Sequence, residues 1–186
     1  TLGRTGLQAS VMGLGGGGYS RLGLRQGKQP EQAIQLIHTA IEQGINLIDT
    51  APVYGTEKVI GKALYRTFAR EKLILSTKIQ PRNRQGQIIT SKVLVKSLHQ
   101  SLRSLKTDYV DLYHLHGVKP KEYDTVTEQL LPTLITLKQQ GKIRFLGITE
   151  SFTKDPTHAM LKQALTDDYW DVVMAGFNFI NQTARF

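Results

Sequence analysis

The sequence predicts an α/β fold: a parallel sheet curling toward a closed barrel. Three observations predict it. Short apolar, β-favouring runs alternate with amphipathic helical stretches at about thirty residues per unit, the spacing of βαβ crossovers. Polar residues recur where successive runs end, at Asp49, Lys78, His116 and Thr149. In a doubly wound open sheet only the ends beside the switch point meet, whereas a barrel gathers successive strand ends around one axis. The convergence favours the barrel.

The elements follow in order. Residues 7–14 suggest a small N-terminal β-hairpin leading into a first strand at 11–14. Gly15 to Gly18 come next, where backbone amides can approach a ligand closely. No Gly-Lys-Ser/Thr follows, and the spacing is not that of a dinucleotide fingerprint opening a helix. Residues 19–29 read as a flexible loop. Residues 30–43 form a helix, with Pro30 at its start, Gly44 after its end, and Ile34, Ile37 and Ile41 on one face. A strand at 45–48 turns polar at Asp49 and breaks at Pro52, leaving Tyr54 and Gly55 on a short loop. A helix at 57–67 and a strand at 72–77 follow, the strand ending at Ser76-Thr77-Lys78. After a loop at 79–89, Thr90 is placed to cap a long helix to residue 105. The strand at 109–115 ends at His114-Leu115-His116-Gly117. Residues 124–140 read as a helix interrupted by Pro132 and stopped by Gly141. A strand at 142–148, a shorter helix at 156–165, a strand at 169–175 and a polar, loop-like tail at 176–186 complete the chain. Six strands result, where a full barrel has eight and about 250 residues.

Composition narrows the function. With 186 residues, 40% hydrophobic and 21% charged, the chain reads as a single, partial barrel domain over 1–186. There is no cysteine, which removes disulfides, thiolate metal sites and thiol nucleophiles. This suits a reducing compartment, so a cytoplasmic location is expected. No apolar run approaches the roughly 20 residues of a membrane helix, and the start has no signal-peptide core. Thr1 stands where an initiator Met would, so residues upstream are expected. The net charge of +9 is spread along predicted helix faces and loops with no dense cluster in sequence, and no nucleic-acid motif accompanies it. Only His114 and His116, of five histidines, lie close together, too few for a metal site.

Asp49, Tyr54, Lys78 and His116 carry the chemistry if they converge. Tyrosine titrates near ~10 and is a weak acid at neutral pH. A neighbouring ammonium lowers that value, so Lys78, held charged by Asp49, is expected to activate Tyr54. His116 would orient or polarise a carbonyl oxygen. This set suits protonating an oxygen while hydride arrives at carbon. It suits neither acyl transfer, which needs a nucleophile beside a base, nor glycoside hydrolysis, which needs paired carboxylates. Individually, Lys78 also fits a salt-bridged strand-end lysine, and His116 a capping histidine. Only one of His114 and His116 is expected to face the axis, with the strand ending between them.

The sequence resembles the aldo-keto reductase family. The resemblance rests on Leu2-Gly-Arg-Thr-Gly-Leu7 with Gly13-Leu-Gly15, on Asp49-Thr-Ala-Pro-Val-Tyr-Gly55, and on Ser76-Thr-Lys78. It continues in Asp111-Leu-Tyr-His-Leu-His-Gly117 and Gly141-Lys-Ile-Arg-Phe-Leu-Gly-Ile148. It implies an eight-stranded barrel of that type, here truncated to about six strands, and NADPH-dependent reduction of a small aldehyde or ketone, NADH being the alternative cofactor. It also implies Tyr54 as proton donor, Asp49 and Lys78 as its tuners, and His116 as the substrate-orienting histidine. Gly15, Gly16, Asp49, Thr149, Glu150 and Asn178 become the cofactor-binding candidates. Thr149-Glu150 stands where the family commonly has Ser-Asn, and Met174 where it often has a glutamine, with Asn178 a candidate to compensate. The family's last two βα units have no counterpart, so the two edge strands need covering, and a poorly stable or homodimeric chain is expected. The alternatives are a cofactor-binding regulatory relative with weak or no catalysis, and an inactive fragment with an interaction role.

Overall fold

The computed structural model describes residues 1–185; Phe186, the last residue of the expected tail, lies outside them. Six strands form one parallel sheet: β1 (Gly13–Gly15), β2 (Leu47–Asp49), β3 (Ile74–Ile79), β4 (Val110–Val118), β5 (Ile143–Glu150) and β6 (Val172–Met174). Helices α1 (Pro30–Glu42), α2 (Glu57–Leu64), α3 (Ser91–Leu105), α4 (Tyr123–Gln139) and α5 (Ala159–Ala164) connect them. Strand order equals chain order, so there is no switch point. The sheet is a curled half-barrel, with β1 bonded to β2 and β6 to β5 at its two edges.

Strand pairing sets which side chains face inward. The register aligns Leu47 with Ile74, Asp49 with Ser76, Ser76 with Leu112, Leu112 with Phe145, Lys78 with His114, His114 with Gly147, and Gly147 with Val172. Since side chains alternate with period two, each strand's inner face can be read upward. It runs Leu47 then Asp49, Ile74 then Ser76 and Lys78, Leu112 then His114 and His116, and Phe145 then Gly147 and Thr149. The lower layer is apolar: Ile74, Leu112 and Val172 pack with Leu47 and Phe145, and with Leu2, Leu7 and Ala9 from the N-terminal segment. The upper layers are polar. The opposite face packs on the helices in a larger core that includes Ile37, Ile60, Leu75, Leu98, Leu130 and Ile148.

Several elements differ in extent from the sequence reading. β4 runs on through Gly117 to Val118, because its far end pairs with Glu150 of β5. No hairpin forms over residues 7–14; a turn lies earlier, closed by Leu2 N–H to Leu7 C=O at 2.9 Å. Asn46 docks this segment instead, accepting from Ser10 N–H at 2.7 Å and donating to Gln8 C=O at 2.8 Å. Pro132 does not interrupt α4. It lies on the exposed face, as does Glu128 one turn earlier, so the carbonyl its missing N–H leaves free meets water. At the lower end of β4, wholly buried Asp111 accepts Leu75 N–H at 2.9 Å and pairs with Arg70 at 2.7 Å and Arg144 at 2.6 Å.

Candidate active site

The polar upper layer draws together side chains from separate strands. Asp49 ends β2, and Lys78 lies inside β3, one alternation above Ser76. The Lys78 ammonium donates to both Asp49 oxygens at 2.5 Å and to Thr50 C=O at 2.9 Å. Ser76 Oγ donates to Asp49 Oδ1 at 2.6 Å. Lys78 is 1% exposed, and its three acceptors account for its three protons. A lysine so enclosed is held by its partners, since an unpaired buried ammonium is unfavourable.

Tyr54 reaches this layer from the turn after β2. Pro52–Tyr54 is a 3₁₀ turn ended by Gly55 at φ 75°, a left-handed conformation that glycine adopts without strain. Two buried ties hold the turn down. Thr50 and Thr56 share a hydroxyl hydrogen bond at 2.8 Å, and Thr77 Oγ1 donates to Glu57, the first residue of α2, at 2.8 Å. Gly17 passes against the Tyr54 ring so closely that a Cβ there would stand 2.8 Å from it. The phenol lies 3.4 Å from His116 Nε2, with the two rings edge-on at 87°. Lys78 Nζ sits 5.4 Å from the centre of the tyrosine ring.

Both histidines of β4 face the interior, contrary to the expectation that only one would. His116 is in the upper layer beside Tyr54. His114 is one layer below, wholly buried, with neither ring nitrogen hydrogen-bonded to protein. Its ring lies where a side chain on Gly147 would be, since a Cβ there would approach within 2.2 Å.

Protonation states follow from burial. Burial and the Lys78 charge pull His114 down to about 3 and His116 to about 4, with Arg82 also lowering His116. Both imidazoles are therefore neutral at pH 7. Burial, and then the Asp49 charge, push the Tyr54 phenol above its ordinary value. This direction is opposite to the lowering expected from Lys78, whose ammonium is bonded to Asp49. Burial lowers Lys78, opposed by the Asp49 charge and hydrogen bonds.

The cofactor candidates separate into two groups. Gly15 pairs in register with Asp49, and a Cβ on it would meet nothing within 4 Å. Gly16 donates its N–H to Asp49 C=O at 2.7 Å and closes against Thr56 and Thr50. Thr149 faces inward and accepts Gly117 N–H at 2.8 Å. Glu150 does not share that face. Its buried carboxylate meets His158 Nδ1 at 2.6 Å and accepts Gly176 N–H at 2.7 Å. Asn178 lies in the exposed tail, where its side chain accepts from Ile180 and Asn181 N–H at 2.9 and 2.8 Å. Beyond these, the structure adds Ser76, His114, Gly17 and Arg82 to the site. Strand alternation could have found Ser76 and His114 in the sequence; nothing local signals the approach of Gly17 to Tyr54. A cavity of about 260 Å³ opens beside Lys78 and His116, walled by Val53, Ile89 and Val93. Larger depressions lie elsewhere, between α3 and α4.

Comparison with known proteins places the chain in a family. The model of the Aldo/keto reductase family matches residues 11–183. L-galactose dehydrogenase of Arabidopsis thaliana is 38% identical over 153 residues, covering 80% of this chain and 47% of that protein. The aldo-keto reductase YhdN of Bacillus subtilis is 34% identical over 151 residues, covering 78% and 44%. A putative aldo-keto reductase from Pseudomonas aeruginosa superposes with a TM-score of 0.79 at 29% identity, covering all of this chain and 69% of that one. The holo form of an aldo-keto reductase from Bacillus halodurans gives 0.74 at 30% identity, covering 95% and 56%. The chain spans about half the length of the curated relatives it matches. With its parallel strands wound in chain order and nearly its whole length matched by the family model, the chain belongs to the aldo/keto reductase family.

Proposed function

We propose that this chain carries the carbonyl-reducing site of an NADPH-dependent aldo-keto reductase, acting on a small aldehyde or ketone in the cytoplasm, with NADH the alternative cofactor. One observation supports the reading most: at pH 7 the two histidines are neutral and the lysine is held by Asp49, so the Tyr54 phenol is the protonated acid at the mouth of the polar layer. A reduced nicotinamide, when bound, would supply hydride to the carbonyl carbon. Tyr54 gives its proton to the carbonyl oxygen as charge develops there, and solvent later replaces that proton. The neutral His116, 3.4 Å from the phenol, directs the same oxygen. Lys78, beneath the tyrosine ring, offsets the phenolate that forms, and Asp49 and Ser76 fix the lysine.

The residues around the site fit a nicotinamide cofactor in part. Gly15 leaves open space above Asp49, and Thr149 offers an inward hydroxyl. The substrate's side group has room in the cavity beside Val53 and Val93. The test is NADPH and NADH oxidation across a panel of aldehydes, with Tyr54→Phe as control. Loss of a proton donor lowers the rate by about 10²–10⁴-fold. Turnover that survives in Tyr54→Phe would refute the assignment.

A second reading has a specific observation behind it. Glu150 is tied to His158 and Gly176, and Met174 is a weak hydrogen-bonding partner, so a cofactor held here would have fewer amide contacts. A regulatory relative that binds cofactor without turnover would show NADPH fluorescence changes and no oxidation.

A further inference from the structure

The charge that looks scattered in the sequence gathers on one helix face. On α3, Lys92, Lys96, His99 and Arg103 are spaced by four, three and four residues, one stripe about 16 Å long. The stripe borders a groove between α3 and α4, made of two adjoining depressions of about 550 and 960 Å³ that share His99 and Arg103. Lys106 and Lys142 extend the cations along it, and Asp108 is the sole carboxylate lining it. Among the described residues, none of these five lysines and arginines stands within 4 Å of a carboxylate. Lys142 Nζ instead donates to His99 Nε2 at 2.9 Å.

Helix stability does not explain the stripe. Cations near a helix C-terminus complement its dipole, which covers Arg103. Lys92 is in the first turn of α3, where a cation opposes the dipole, and no acidic residue accompanies it there. Arg103 donates to Gln100 Oε1 at 2.9 Å, but the cations have no carboxylate partner among the described residues, and an anion would relieve their mutual repulsion.

We propose that the α3–α4 groove is a docking site for an extended acidic polypeptide segment. Lys92 and Lys96 stand about 6 Å apart along the helix, near the roughly 6.7 Å that separates side chains on one face of a strand, and Arg103 follows about 10.5 Å further on, so carboxylates of an extended segment can meet them in turn. Thr133 and Thr136 on the facing helix add hydroxyls to the groove wall. A bilayer surface fits less well, because the Lys92–Arg103 part of the groove offers only the half-buried Val95 as an apolar side chain. Single-stranded nucleic acid needs aromatic faces for its bases. The two tyrosines at the far end have theirs taken, Tyr65 by Lys106 at 4.8 Å and Tyr109 by Arg70 at 4.1 Å.

The test uses fluorescence anisotropy of a labelled oligoglutamate of about eight residues, whose extended span of about 26 Å covers the stripe. The expected result is binding at low salt that weakens with ionic strength. The Lys96→Glu/Arg103→Glu double variant should bind at least about tenfold more weakly. The Lys154→Glu/Lys162→Glu variant makes the same charge change at exposed positions after β5 and on α5, and should stay within about twofold of the parent. Equal loss in both variants would reduce the effect to net charge and overturn the site. So would absence of binding, or tighter binding of oligouridylate or anionic vesicles with the same dependence on Lys96 and Arg103.

Discussion

Replacing Gly17 by alanine is the sharpest probe of how Tyr54 is held. Gly17 has an ordinary backbone conformation, so the new methyl brings no φ penalty. It would, however, stand 2.8, 2.9 and 3.0 Å from three carbons of the Tyr54 ring. Ordinary contact begins at 3.4 Å, so the ring must retreat by about 0.6 Å. Its movement is limited by His116, 3.4 Å from the hydroxyl, and by Lys78, 5.4 Å from the ring centre. A 1 Å misplacement of a reacting group slows a reaction by about 10²-fold, so this retreat should lower kcat by roughly ten- to a hundredfold, or about 1.4–2.7 kcal/mol of barrier. Steady-state kinetics with NADPH and an aldehyde is the assay. KM and the cofactor Kd should stay within about twofold, because the methyl touches the proposed proton donor and not the ligands. Thermal stability should change by less than about 1 kcal/mol. A Gly17→Ala enzyme with parental kcat would refute the packing argument.

Three further outcomes follow from other features. His114 and His116 titrate near 3 and 4 in the fold against about 6.5 unfolded, so between pH 6.5 and 5 the unfolded chain binds the extra protons. Stability therefore falls as pH drops through that window, by up to about 1.4 kcal/mol per pH unit for each histidine, and His114→Phe should roughly halve the slope in urea melts. A flat profile over that window would count against their burial. Glu57→Ala strips the buried Thr77 hydroxyl of its acceptor and should cost about 2 kcal/mol in urea melts, whereas Glu57→Gln keeps an acceptor and should cost less than half of that. The β1 and β6 edges and exposed Phe179 and Ile180 should make the isolated chain self-associate in light scattering, and Phe179→Ser/Ile180→Ser should reduce it. A monodisperse parent with a cooperative melt would contradict that expectation.

Much of the half-barrel is legible from period and punctuation. Helix α1 is bounded as its proline and glycine predict, and Thr90 caps α3 by accepting Val93 N–H. Strand ends are less legible, because pairing partners decide them: β4 continues past Leu115 where β5 supplies a neighbour as far as Glu150. Alternation already separates Thr149 from Glu150, since adjacent residues face opposite sides of a strand, and the inward and outward placements follow it. How Lys78 bears on Tyr54 is less legible, because the reach of a lysine depends on what else binds it. Lys78 is engaged three times over before the phenol is considered. The basic stripe is hidden in a linear reading and appears only when α3 is wound.

Lys78 also bears on how the chain selects its own pairing. A one-residue slip of β3 would turn Thr77 and Ile79 inward and drive the ammonium into the apolar layer beneath α2 and α3, far from any carboxylate that could match Asp49. A two-residue slip would keep it inward but carry it about 6.7 Å along the strand, beyond reach of Asp49. Either error strands a buried charge, which costs several kcal/mol. An apolar side chain at the same place would tolerate both slips far better. The lysine of the candidate site thus also favours one alignment of β2, β3 and β4 over its neighbours.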